Sequence, residues 1–288
     1  MSAAGAVAQT PVKLRSLLFV PGDRPERFFK AAASGADALI LDLEDSVVAA
    51  AKDAARANVA AWLATAPPLP VFVRINPLDG GTLDADLRAV LGGAATGVVL
   101  PKAEGAASLA TLDVQLAGTN LKILPIVTET PRAMFHLGDY GGVTDRLIGL
   151  TWGAEDLSSA VGATTAREAD GRYRPPYELA RSLTLFAAHA AHVAAIETVY
   201  PDLADAAGLE AYATRGRQDG FTGMLALHPN QIAPIHAAFA PSAAEIVHAR
   251  AIVAHFAARS GAGALRLDGR MIDAPHRIAA ERLLASLD

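Results

Sequence analysis

Two short apolar runs end in acidic residues. Ile123–Val127 gives way to Thr128-Glu129-Thr130-Pro131, and Leu147–Trp152 gives way to Gly153-Ala154-Glu155-Asp156. Apolar runs bounded by Gly and Pro read as buried parallel strands. Carboxylates just past the ends of successive strands are where an α/β barrel keeps its chemistry. With no Cys or His beside them, the two suit a hard divalent cation such as Mg²⁺, which takes oxygen ligands and keeps several waters. Past the other apolar runs stand Arg24, the Asp42/Glu44/Asp45 cluster, Arg74, Lys102 and His228. Each has a plainer explanation. Asp156 could cap the next helix, Lys102 could be a solvated loop residue, and His228 a packing residue. Glu129 is harder to dismiss, because Thr130 beside it would cap better. Arg74 lies within Val71-Phe72-Val73-Arg74-Ile75, and a buried Arg requires a carboxylate partner or a bound anion. Joint occurrence on one barrel face points to metal-assisted chemistry on a small anionic, carboxylate-bearing substrate.

The elements that must position these groups follow from the same punctuation. Strands are expected at Leu14–Val20, Ala36–Leu41, Val71–Ile75, Gly97–Leu100, Ile123–Val127, Leu147–Trp152, Ala195–Val199 and Met224–Leu227. Helical segments alternate with them, at a spacing of roughly thirty residues, the size of a βαβ unit. This alternation implies a parallel sheet, and eight units fit a closed TIM-type (β/α)8 barrel over residues 1–240. A doubly wound sheet is the alternative, but no G-x-G-x-x-G follows the first strand. Residues 241–288 read as a C-terminal appendage. It begins with a helix over Ser242–Arg259 and a hinge at Gly261-Ala262-Gly263. A short extended piece with a turn, over Leu265–Asp273, and a last helix after Pro275 complete it.

Composition bounds the rest. The 288 residues are 52% hydrophobic and 19% charged, so a large core is expected and disorder is not. A net charge of -5 argues against a nucleic-acid partner. The absence of Cys excludes disulfides, thiolate nucleophiles and iron–sulfur clusters. The stretch MSAAGAVAQTPVK lacks the pattern of a signal peptide, and no apolar run is long enough to span a membrane, so a cytoplasmic protein is expected.

Six segments in order resemble one family. Arg15-Ser16-Leu17-Leu18-Phe19-Val20-Pro21-Gly22 with Arg24-Pro25, Asp42-Leu43-Glu44-Asp45-Ser46-Val47, Val73-Arg74-Ile75-Asn76, Pro101-Lys102, Glu129-Thr130 with Gly153-Ala154-Glu155-Asp156-Leu157, and His228-Pro229-Asn230-Gln231-Ile232 are similar to motifs of the citrate lyase beta-subunit-like family. This is part of the HpcH/HpaI aldolase superfamily, which includes malyl-CoA and citramalyl-CoA lyases. The resemblance implies a TIM-like barrel, Mg²⁺, CoA thioesters and a homotrimer or hexamer. It implies Glu129 and Asp156 as metal ligands, Arg74 as a catalytic and substrate-binding group, and Phe19, Arg24 and Lys30 as CoA contacts. Glu129, Lys102 and Pro229 are also expected to face substrate, and Asp42 and Glu44 to order metal-bound waters. Gly269-Arg270-Met271-Ile272-Asp273-Ala274-Pro275 resembles a segment whose aspartate serves a neighbouring subunit's site, which nominates Asp273 as the acid/base.

The implied reaction is reversible Claisen-type cleavage of a malyl-, citramalyl- or citryl-CoA-like thioester to an acyl-CoA and a 2-keto acid. Four alternatives stay open: a thioesterase on malyl-CoA-like esters, a lyase subunit whose substrate arrives on an acyl carrier, a CoA-independent aldolase, and a barrel kept as a binding scaffold.

Overall fold

The computed structural model describes residues 14–259, 263–285 and 287. The signal-peptide reading of the first thirteen residues and most of the expected hinge, Gly261-Ala262, lie outside them. The chain divides into two compact units, one ending at Phe239 and the other starting at Ala240.

In the first unit eight parallel strands form one sheet. They are β1 Ser16–Pro21, β2 Ala38–Asp42, β3 Val71–Arg74, β4 Gly97–Leu100, β5 Lys122–Pro125, β6 Gly149–Thr151, β7 Ala194–Glu197 and β8 Gly223–Ala226. Their order is β5-β4-β3-β2-β1-β8-β7-β6, so the two ends of the list are the fifth and sixth strands of the chain. Parallel bridges Ile123↔Leu147 and Ile126↔Thr151 join those ends and close the barrel. The fold is the TIM-type barrel expected.

Side chains alternate across the barrel wall, as period-two geometry requires. Leu17, Ile40, Phe72, Val99, Leu124, Ile196 and Leu225 form one inner cluster. Their neighbours Leu18, Leu39, Leu41, Val73, Leu100 and Ile123 belong to the outer layer that packs on the helices. Both faces of each strand are therefore buried, which is why the strands read as continuous apolar runs. Asp42 and Arg74 keep the inward parity of Ile40 and Phe72, and the β2–β3 register pairs them directly.

The outer helices are α1 Phe28–Ala32, α2 Lys52–Leu63, α3 Leu83–Leu91, α4 Ala106–Gln115, α5 Glu155–Ala160, α6 Pro175–Ala190, α7 Ala206–Asp219 and α8 Ile232–Phe239. Two departures from the regular βα alternation matter. Pro25 opens a 3-10 turn, Pro25–Arg27, ahead of a short α1. Between β5 and β6 the chain makes only two 3-10 turns, Ala133–Phe135 and Leu137–Asp139. Pro131 and the glycines at 138, 141 and 142 disfavour a longer helix there. This short connection leaves the rim above Glu129 built of turns.

The second unit holds α9 Ala243–Ala257, an antiparallel hairpin β9 Ala264–Leu267 and β10 Arg270–Asp273, and α10 Ala274–Ala285. Ser242 and Glu245 form a capping box at the start of α9, the arrangement a Ser-x-x-Glu spacing favours. Asp268 and Gly269 both take positive φ, 47° and 80°, as a two-residue hairpin turn requires. Ala249, Ile252, Phe256, Ile272 and Ala280 form its own small core.

Candidate active site

Five loops at the carboxyl ends of β2 to β6 bring their polar residues together. Asp42 ends β2 and is 1% exposed. It accepts Arg74 Nε at 2.7 Å and Nη2 at 2.6 Å, and the backbone N–H groups of Glu44 and Ser46 at 2.9 and 3.0 Å. Arg74 Nη1 lies 3.0 Å from Glu44 Oε2, and the guanidinium packs over the Phe19 ring at 4.9 Å. Glu44 Oε1 accepts Lys102 Nζ at 2.5 Å. The same ammonium is 3.5 Å from Asp156 Oδ1. The backbone N–H of Lys102 donates to Glu129 Oε2 at 2.6 Å. Lys102 thus links the Glu44, Glu129 and Asp156 carboxylates.

Each loop is held from behind. Lys52 on α2 donates to the carbonyls of Leu43 and Glu44 and to Asn76 Oδ1, at 2.6 to 2.8 Å. Asp86 on α3 is fully buried and accepts the Asn76 N–H, Asn76 Nδ2 and Arg56 Nε. Thr128 Oγ1 exchanges hydrogen bonds with the Gly153 N–H and carbonyl at 3.0 Å. A Cβ on Gly153 would come within 3.2 Å of Glu129 Cγ and Oε1, so glycine leaves the room that Glu129 fills.

These contacts set the protonation. Burial, then repulsion from Asp156 and Glu44, push the Glu129 carboxyl up to about 8 against the pull of the Lys102 N–H. Burial likewise raises Glu44, despite Arg74 and Lys102. Burial opposes ionisation of Asp42, but hydrogen bonds and charge from Arg74 outweigh it and hold Asp42 below the usual carboxylate range. Lys102 and Arg74 are held above their ordinary values, the carboxylates overcoming burial in each case.

The donor set fits a hard cation. Among the described residues no three His, Cys, Asp or Glu side chains form a ready-made cage. Mg²⁺ does not need one, because it is commonly bound through one or two carboxylates with water and substrate oxygens. Glu129 is 4% exposed and is pushed toward its protonated form by burial and then by neighbouring carboxylates; a divalent cation would relieve that repulsion.

The structure brings together Phe19, Asp42, Glu44, Arg74, Lys102, Glu129 and Asp156. Arg74 has the carboxylate partners its sequence position demanded: Asp42 takes two of its five N–H donors, and Glu44 forms an ion pair with Nη1. Asp42, expected to order metal-bound water, instead has its oxygens occupied by Arg74 and two backbone donors, so it positions Arg74. Asp156 lies in the first turn of α5 and makes no side-chain cap there, which removes the capping explanation. Arg24 is exposed beside Asp23 at 3.8 Å, and Lys30 is exposed on α1. His228 accepts the Asn230 N–H through Nδ1, capping the turn that contains Pro229, so its explanation is structural. Asp273 ends β10 in the second unit, with Oδ1 2.6 Å from His276 Nδ1. Sequence reasoning missed Lys52 and Asp86, and it quoted Asn76 within a motif without giving it a role. The polar Asn76 just past an apolar strand was the available signal.

An eight-stranded parallel barrel with an acidic, oxygen-rich mouth on its carboxyl-end loops is the class of protein that fold and rim define. Within that class, the chain belongs to the HpcH/HpaI aldolase/citrate lyase family, whose model matches residues 15–229. It is 41% identical over 271 residues to the citrate lyase subunit beta-like protein of Mycobacterium tuberculosis, covering 93% of each chain. It is 33% identical over 283 residues to the (3S)-malyl-CoA thioesterase of Cereibacter sphaeroides, covering 95% of this chain and 94% of that protein. Its backbone matches the crystal structure of CitE from Mycobacterium tuberculosis in complex with magnesium, acetoacetate and coenzyme A. The TM-score is 0.82, at 37% identity, covering 96% of this chain and 98% of the other. Among the described residues no helix is long and apolar enough to cross a membrane.

Proposed function

We propose that this protein is a Mg²⁺-dependent carbon–carbon lyase. Its substrate would be a malyl-, citramalyl- or citryl-CoA-like thioester, cleaved reversibly to an acyl-CoA and a 2-keto acid. The observation that carries the reading is the convergence of Glu129 and Asp156, from successive loops, beside Arg74 and Lys102. The magnesium and coenzyme A named with the CitE structure support the same cofactor and thioester here.

Glu129 and Asp156 would hold Mg²⁺, which supplies Lewis acidity to the substrate's hydroxyl and carboxylate oxygens. Arg74, fixed by Asp42 and Glu44 and backed by Phe19, offers its remaining N–H donors to the carboxylate of the acid. Phe19, Arg24 and Lys30 lie on β1 and the segment after it, where a CoA chain would be held. Lys102 and Pro229 flank the bound acid. Asp273, supplied by a neighbouring subunit of a homotrimer or hexamer, donates the proton that the thioester enolate needs after cleavage and removes it in the condensation direction. A cytoplasmic location agrees with a free CoA-ester substrate.

The test is a panel of malyl-, citramalyl-, methylmalyl- and citryl-CoA assayed with Mg²⁺ for keto acid and acyl-CoA. Keto acid released in equal amount to acyl-CoA is the expected result. The thioesterase relative favours one second reading, in which water attacks the thioester. Free hydroxy acid plus CoA, without keto acid, would establish it and exclude the lyase.

A further inference from the structure

Lys102 touches both candidate metal ligands with opposite ends of one residue. Its N–H donates to Glu129 Oε2 at 2.6 Å, while its ammonium lies 2.5 Å from Glu44 Oε1 and 3.5 Å from Asp156 Oδ1. The residue has φ of 51°, a left-handed conformation that costs a non-glycine residue energy and persists only where its surroundings impose it. Those surroundings are visible. The Ala103 N–H donates to the Ile126 carbonyl at 3.2 Å, and buried Tyr140 bridges the Gly105 N–H and the Ala103 carbonyl. The turn aims the N–H of Lys102 at one carboxylate and its side chain at Glu44 and Asp156, with Asp45 at the limit of ion-pair distance.

The identity of the third carboxylate raises a question of coordination. Glu44 is 3% exposed and sits between Arg74 Nη1 and Lys102 Nζ. Asp42 is already occupied by Arg74. Asp45 lies farther from the ammonium, at 3.9 Å, and is more than half exposed, which leaves buried Glu44 as the potential third anionic ligand beside Glu129 and Asp156. A third carboxylate would tighten the grip on a hard cation and leave fewer positions for a chelating substrate. We propose that Lys102 is a positioning residue that holds Glu44 out of the metal's coordination, so that the ion stays open to a keto or hydroxy acid. This rests on the metal site of the proposed function, and it adds the device that keeps the site open.

The test is calorimetric titration of Mg²⁺ alone into metal-free full-length protein, followed by pyruvate into the Mg²⁺-loaded protein. Removing the ammonium in Lys102→Met should free Glu44, tightening Mg²⁺ about tenfold or more and weakening pyruvate by a similar factor. Lys102→Arg keeps a positive charge beside Glu44 on a bulkier head and should lie nearer wild type than Lys102→Met in both titrations. Glu44→Gln alone should also leave Mg²⁺ affinity within about threefold, and in the double variant with Lys102→Met it should erase the gain. A loss of purely structural kind would weaken both ligands together. Three results would overturn the proposal: folded Lys102→Met with unchanged or weaker Mg²⁺ binding, a gain that survives in the double variant, or a drop of about tenfold or more in Glu44→Gln alone. The last keeps the test decisive if Lys102→Met does not fold. Wild-type protein that takes up no Mg²⁺ would remove the underlying metal site and this proposal together. Wild-type uptake with indifferent variants would remove this proposal alone.

Discussion

Glu129 should make Mg²⁺ binding release a proton. Burial and the neighbouring Asp156 and Glu44 carboxylates push its carboxyl up to about 8 in the metal-free protein. A ligand carboxylate must be ionised, so the proton and the metal compete for it. With a value near 8, about 1% of the carboxyl is ionised at pH 6 and about 90% at pH 9, so apparent Mg²⁺ affinity should rise roughly a hundredfold between them. Titration of Mg²⁺ in two buffers of different ionisation enthalpy should count close to one proton released at pH 6.5 and almost none above pH 9. The linkage has a second consequence. A carboxyl raised above its unfolded value stabilises the fold fully below about pH 4.5, and that contribution fades as pH rises through about 8. Metal-free protein should therefore lose stability between pH 6 and pH 9, by up to a few kcal/mol, and Mg²⁺ should restore it. Mg²⁺ affinity that is flat from pH 6 to pH 9, with no proton released, would refute the argument.

Further outcomes follow from other contacts. Gly153→Ala sets a Cβ within 3.2 Å of Glu129 Cγ and Oε1; Mg²⁺ affinity measured by calorimetry should fall by about three- to tenfold, with little change in melting temperature. Asp86→Ala leaves the Asn76 and Arg56 donors unpaired, and urea unfolding should show a loss of about 3 kcal/mol, whereas less than about 1 would contradict the pinning role. Asp273→Asn should lower lyase turnover by roughly a thousandfold or more while sparing CoA binding; a tenfold loss or less in a coupled assay would count against its acid/base role.

The barrel was legible because parallel strands buried on both faces leave continuous apolar runs. Gly97–Leu100 was read with its observed bounds. The sixth run, Leu147–Trp152, shrank to Gly149–Thr151, because only β7 pairs with it as a full ladder and β5 meets it through isolated bridges. Pro25 opens a 3-10 turn ahead of the short α1, and the β5–β6 connection has no α-helix. The candidate site was legible in kind but not in wiring. Arg74 visibly needed a partner, yet the choice of Asp42 depends on β2–β3 register across 32 residues. Lys102 looked like a loop cation, because its left-handed backbone leaves no mark on the sequence.

The central claim is that Glu129 and Asp156 jointly hold one hard cation. Electron paramagnetic resonance of free Mn²⁺, titrated against wild-type protein, Glu129→Gln and Asp156→Asn, tests it most directly. The account predicts one Mn²⁺ site per chain in the wild type and its loss in both variants. Wild-type affinity retained in both variants would contradict it.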